Sequence, residues 1–105
     1  MVAPSVLDDF VLNLLARAAE AAERCPTNLE IARCMIKARL VRHRSASSIP
    51  GIITRLTRIG HVTVRVYGHN WRDVTITKTG KTTQPPPHGG QPYVTIDLNG
   101  RRTRS

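Results

Sequence analysis

The spacing of the apolar residues changes at Gly60. Before it they recur every three or four positions, and after it they alternate with polar residues. A chain of 105 residues with a helical period first and a strand period directly afterwards is predicted to be a small α+β domain, helices leading and a β-hairpin following. At this length one core of modest size is the expectation, and a large catalytic cleft is not.

The helical part divides into three elements. Ser5 followed three residues later by Asp8, with Asp9 beside it, resembles a capping signal with acids near the positive end of a helix dipole. Leu7, Phe10, Val11, Leu14, Leu15, Ala18, Ala22 and Cys25 then form one stripe, which predicts a helix from about Val6 to Arg24. That is long for so small a domain, so part of its face is offered either to the core or to a second subunit. Pro26 stops it, and Thr27-Asn28-Leu29-Glu30 is a capping box opening a second helix that lasts to about Lys37 or Ala38. Its apolar side is Leu29, Ile31, Ala32, Met35 and Ile36. The basic stretch from Arg39 to Arg44 reads as a helix end and a connection. Ser45, Ser47 and Ser48 offer cap hydroxyls, and Pro50 is tolerated only in a first turn. A third helix is therefore expected over about Ser47–Ile59, with Gly60 in the left-handed position beyond its end.

Two strands follow. Val62, Val64 and Val66 alternate with Thr63, Arg65 and Tyr67, and Val74 and Ile76 alternate with Asp73, Thr75 and Thr77. The Gly68-His69-Asn70-Trp71 stretch is the expected turn. Trp71 has two readings: a cover on the end of the core, or a surface laid against a sugar or base edge. From residue 80 the composition becomes that of a tail. The Pro85–Pro87 run and Gly89-Gly90 predict an extended, mobile segment, followed by an extra strand or docking segment at 92–98 and a terminal basic arm carrying Arg101, Arg102 and Arg104. The expected division is thus a domain over 1–79 and a tail over 80–105.

Charge adds a functional constraint. Lys and Arg number 16 against seven Asp and Glu, a net of +9. The first 25 residues carry −2 and the remainder +11, and 13 of the 16 bases are Arg. The arginine fork suits phosphates and guanine edges, so a polyanion is the predicted partner.

The order helix, capped helix, Ser-rich cap, short basic helix, Gly, hairpin is that of a winged helix-turn-helix. Its third helix would enter a major groove about 12 Å wide while helix N-termini and wing arginines hold phosphates. At the residue level, Pro26-Thr27, Glu30-Ile31-Ala32, Arg44-Ser45, and Leu56 with Gly60 and Val62 resemble the N-terminal DNA-binding domain of LexA-type SOS repressors and related small bacterial or phage regulators. The resemblance covers about half the chain. It implies a regulator of transcription that binds double-stranded DNA, acting as a homodimer, with helix 1 as a candidate contact between subunits. Two features differ from the family: Ile36 to Val41 lengthens the connection between helices, and Pro50 and Gly51 stand where the family reads bases. The family's self-cleaving Ser-Lys domain is also not expected here. The candidate DNA contacts are Arg39, Arg42 and Arg44 in the connection, Ser45, Ser47, Ser48, Thr54, Arg55 and Arg58 on and before the third helix, Arg65, His69, Asn70, Arg72 and Lys78 on the hairpin, and Arg101, Arg102 and Arg104 in the tail. An excisionase-like architectural protein that bends DNA, and a protein-binding inhibitor or anti-activator with a regulatory protein partner, are the alternatives on the same scaffold. RNA suits the charge but not the scarcity of stacking aromatics.

Other chemistries find little footing. Cys25 and Cys34 have no Cys-x-x-Cys spacing, and His43, His61, His69 and His88 have no ligand spacing, so neither zinc nor another cofactor is expected. Gly80-Lys81-Thr82 resembles the end of a phosphate-binding loop, but Thr75 stands where its first Gly belongs. Lys78-Thr79-Gly80 has no Ser-x-x-Lys to serve. No enzyme is expected. With no apolar run long enough to span a bilayer and no signal-peptide pattern, a cytoplasmic, nucleoid-associated protein is the expectation.

Overall fold

The computed structural model describes residues 4–42, 48–67, 71–86, 94–96 and 102–104. Three helices, α1 (Pro4–Glu20), α2 (Asn28–Lys37) and α3 (Ile49–Ile59), precede an antiparallel hairpin, β1 (Val62–Val66) and β2 (Arg72–Ile76). Two short strands, β3 (Val94–Ile96) and β4 (Arg102–Arg104), extend the sheet in the order β2-β1-β3-β4.

The local reasons for α2 and for the end of α3 are the ones written in the sequence. Thr27 Oγ1 accepts from the Glu30 backbone N–H at 3.1 Å while the Glu30 carboxylate accepts from the Thr27 N–H at 3.2 Å, closing the capping box. These bonds favour the ionised carboxylate and lower the Glu30 pKa. Pro50 lies in the first turn of α3, and Gly60 takes φ +92° beyond its end, a conformation that costs glycine nothing.

The start and end of α1 differ from expectation. It begins at Pro4, two residues early, which puts Asp8 and Asp9 beyond the first turn and out of reach of the dipole. It stops at Glu20 rather than Arg24 because Ala22 turns left-handed at φ +53°. The Glu23 N–H then donates to the Ala18 carbonyl and the Ala22 N–H to the Ala19 carbonyl, satisfying the last turn. The residues freed from the helix send Cys25 into the core, where it is 4% exposed. Helix α3 starts at Ile49, and Ser48 is helical in backbone with no side-chain cap bond, so the expected serine cap at this position is not used.

One core joins both halves. Val11 and Leu15 of α1, Ile31 and Met35 of α2, Ile49, Ile52, Ile53 and Leu56 of α3, and Val62, Val64, Val74 and Ile76 of the hairpin form a single buried cluster. The alternation of the hairpin aims its valines at α1 and α3. Asp73 breaks the pattern: expected on the outer face, it is fully buried.

The first residues of the segment expected to be an extended tail, 80–84, fold back on the domain. Gly80 at φ +72° closes a turn in which its N–H donates to the Ile76 carbonyl. Ile76 N–H then donates to Lys81, Thr83 N–H to Val74, and Val74 N–H to the Thr83 hydroxyl, so residues 81–83 cover the outer edge of β2. Thr83 is fully buried. On the other side β3 covers β1, so the 94–96 part of the expected extra strand is in place. Arg102 and Arg104 lie in β4, paired with β3.

Candidate nucleic-acid interface

Each cation on the described surface is either tied to a protein partner or left unpaired, and the division is uneven. Arg55 of α3 donates Nε–H to Asp8 Oδ2 at 3.0 Å and Nη2–H to Asp8 Oδ1 at 2.8 Å. Arg65 of β1 makes the same bidentate pair with Asp73, at 2.9 and 3.1 Å, and the Tyr67 hydroxyl donates to Asp73 at 2.7 Å. A carboxylate with no exposure is thereby surrounded by three donors, which is the condition for burying it. The hydrogen bond to Asp73 raises the Arg65 pKa, and burial together with Asp73 raises that of Tyr67. Arg72 reaches back across the fold, donating Nη2–H to the Pro26 carbonyl at 2.7 Å and Nε–H to Cys25 Sγ at 3.3 Å. The expected wing contacts Arg65 and Arg72 are thus engaged as fasteners of the hairpin.

Trp71 sits between the two roles expected for it. Its indole N–H donates to the Gln84 carbonyl at 3.1 Å, and the Arg24 guanidinium lies 6.0 Å from its ring centroid. With Arg24, Cys25, Pro26, Thr27, Asn28 and Arg72 it lines a cleft of about 360 Å³. Cys25 and Cys34 are both free thiols, and burial raises the Cys25 pKa, which keeps it protonated and unreactive at neutral pH.

The unpaired set comes from other elements. Among the described residues Arg17, Arg33, Lys37, Arg39, Arg42, Arg58 and Lys78 make no side-chain hydrogen bond or ion pair, whereas Arg24 pairs with Glu30 and Lys81 with Glu20. Six of these seven follow α1. Arg33 and Lys37 lie four residues apart on the exposed side of α2, and Arg39 and Arg42 continue from its end. On α3, Pro50, Gly51, Arg55 and Arg58 are exposed and Thr54 half-buried, its hydroxyl donating to the Pro50 carbonyl at 2.8 Å. Lys78 is exposed in the turn after β2. Arg44, Ser45, Ser47, His69, Asn70 and Arg101 lie outside the described residues, and Ser48 is described and exposed.

Arg33 and Lys37 are absent from the contacts expected of the sequence. Their signal is two bases at i and i+4 opposite the apolar stripe of α2, on a helix that the winged-helix pattern does not single out for contact. Arg39 carries a further mark. It holds the left-handed position after α2 at φ +61°, with its N–H donating to the Ile36 carbonyl and that of Leu40 to the Met35 carbonyl. Glycine is favoured there, and a non-glycine residue costs about 1 kcal/mol. Arg39→Gly is therefore expected to raise stability by up to about 0.5 kcal/mol, the greater freedom of the unfolded chain offsetting much of the relief. It should also weaken polyanion binding, and denaturant unfolding beside a binding titration checks both signs.

Among the described residues no three His, Cys, Asp or Glu side chains gather where they could hold a metal ion, and no helix is long and apolar enough to cross a membrane. Comparison of the chain with protein-family models, with curated proteins and with solved structures finds no match.

Proposed function

We propose that this protein is a non-enzymatic, sequence-specific regulator of transcription that binds double-stranded DNA. In this reading its three helices and hairpin act as a winged helix-turn-helix, with α3 entering the major groove. The observation that carries the proposal is the surplus of unpaired bases after α1: Arg33, Lys37, Arg39, Arg42, Arg58 and Lys78 are unpaired, while the Asp8, Glu20, Glu30 and Asp73 carboxylates are each bound to a cation of their own. A fold that leaves six bases unneutralised on its later elements bears a field suited to phosphates.

Within the proposal Arg33 and Lys37 of α2 join the expected phosphate contacts Arg39 and Arg42 of its connection, while Arg65 and Arg72 fasten the fold. The exposed side of α3, from Ser48 to Arg58, supplies selection. Two copies on a two-fold site would meet through α1, whose flank keeps Phe10 and Leu14 only partly buried. Action in the nucleoid of a bacterial or phage-infected cell belongs to the same proposal.

Selection of bound duplexes from a random pool at about 0.15 M salt tests it. Enrichment of one sequence in two half-sites about 34–36 Å apart is expected. Retention of no duplex, or of all duplexes equally, would remove the sequence-specific reading.

A further inference from the structure

From the Asp8–Arg55 pair we infer that Arg55 reads a guanine and that Asp8 is the positioning residue that aims it; the inference rests on the DNA-binding reading above. The pair joins α1 to the exposed side of α3 across 47 residues of sequence. Its two partners are unequally exposed, the Asp8 side chain at 14% and that of Arg55 at 47%. The carboxylate is therefore the enclosed member, on the longer helix, and the guanidinium the presented one.

The geometry decides what is presented. Asp8 takes the Nε–H and one Nη2–H of Arg55, at 3.0 and 2.8 Å. An arginine has five N–H donors in a rigid plane. Those left are the second Nη2–H and both hydrogens of Nη1, which form the outer fork of the guanidinium. Two parallel donors of that spacing match O6 and N7 of guanine on its major-groove edge, and no other base offers two acceptors there. With its inner edge held, Arg55 loses less side-chain freedom on binding than an unattached arginine.

Charge points the same way. Paired with Asp8, Arg55 adds no net charge to α3, so it contributes little to attraction for phosphates in general, unlike unpaired Arg58 three residues on. Selectivity without added affinity is the mark of a base reader. The pair also answers the difficulty set by Pro50 and Gly51, which offer no hydrogen-bonding side chain, because the next exposed turn of α3 carries a reader aimed from another helix.

The test uses the full chain and the best duplex from the selection. Arg55→Ala locates the base pair concerned: preference for G·C at one position in each half-site should fall about tenfold or more while other positions keep theirs. Asp8→Asn should lower preference at that same position by about fivefold to tenfold. The double variant should add nothing further at that position. Asp8→Glu, which keeps the charge but shifts the carboxylate by a methylene, should lose preference there too, even if Asp8→Asn proves poorly folded. Two results would overturn the inference: an Asp8→Asn protein with a lowered melting temperature and intact G·C preference, which would make the pair a staple between helices, or one that binds every duplex more tightly with a steeper salt dependence, which would make Asp8 a shield. If the wild-type chain enriches no duplex at all, the DNA reading fails before any variant is measured, and the guanine assignment falls with it.

Discussion

Arg65→Ala is expected to lose about 3 kcal/mol of stability, at the low end of the range for breaking a buried ion pair because the arginine is 41% exposed while its partner has no exposure. In a domain of this size that corresponds to a fall in melting temperature of more than about 10 °C. The cause is the carboxylate left behind. Asp73 would keep only the Tyr67 hydroxyl of its three donors, in a place water does not reach. Asp73→Asn in the same background should recover about 1 kcal/mol or more, since a neutral amide is far cheaper to bury than an unpaired charge. Thermal unfolding of the two variants beside the parent decides the matter, and an Arg65→Ala melting temperature within a few degrees of the parent would show that the pair does not hold the hairpin. The result also guards the binding experiments. A loss of DNA affinity in Arg65→Ala is read only beside its stability, because the substitution damages the hairpin as well as removing the outer fork of the guanidinium.

The opposite pattern is expected for the unpaired bases. Arg33→Ala, Lys37→Ala and Arg58→Ala together should change stability by less than about 1 kcal/mol, because none of the three side chains has a partner among the described residues. Affinity for DNA should nevertheless fall roughly a hundredfold near 0.1 M salt, since a phosphate that no longer meets a protein cation keeps its bound counterions. The plot of log K against log salt should become shallower by about 2.7, three times the share of a single phosphate. Mobility shift or anisotropy titrations at several salt concentrations give both numbers. A triple variant with unchanged slope would move the phosphate-binding surface away from α2 and the end of α3.

How much of the fold was legible in the sequence depended on whether the cause was local. The capping box at Thr27, Pro50 in a first turn and Gly60 beyond the third helix each act within a few residues, and each is found where the residues place it. The hairpin was legible from its alternation. What was hidden depends on contacts between distant segments. Ala22 ends α1 in a conformation alanine seldom adopts, and it does so where the chain must turn to bury Cys25 and to offer the Glu23 carbonyl to Gln84 N–H at 2.8 Å. Asp73 reads as a surface residue of an alternating strand until Arg65 and Tyr67 are seen to meet it. The return of residues 81–83 to the edge of β2 has no periodic signal in so short a stretch.

The candidate site divides along the same line. The basic side of α2 was there to be read in Arg33 and Lys37. The allocation of the other arginines was not, because Asp8 and Arg55 lie 47 residues apart and Arg72 finds Pro26 across 46. Composition gives the surplus of positive charge; only the packed chain separates bases that fasten the fold from bases left for a partner.

The most direct test of a polyanion-binding surface is the salt dependence of wild-type binding to duplex DNA. With six unpaired bases taken as six phosphate contacts, the slope of log K against log salt should be about −5, so affinity should drop roughly a thousandfold between 50 and 200 mM. A slope near zero, or no retardation of any duplex at 50 mM salt, would contradict the assignment of these bases to a nucleic-acid partner.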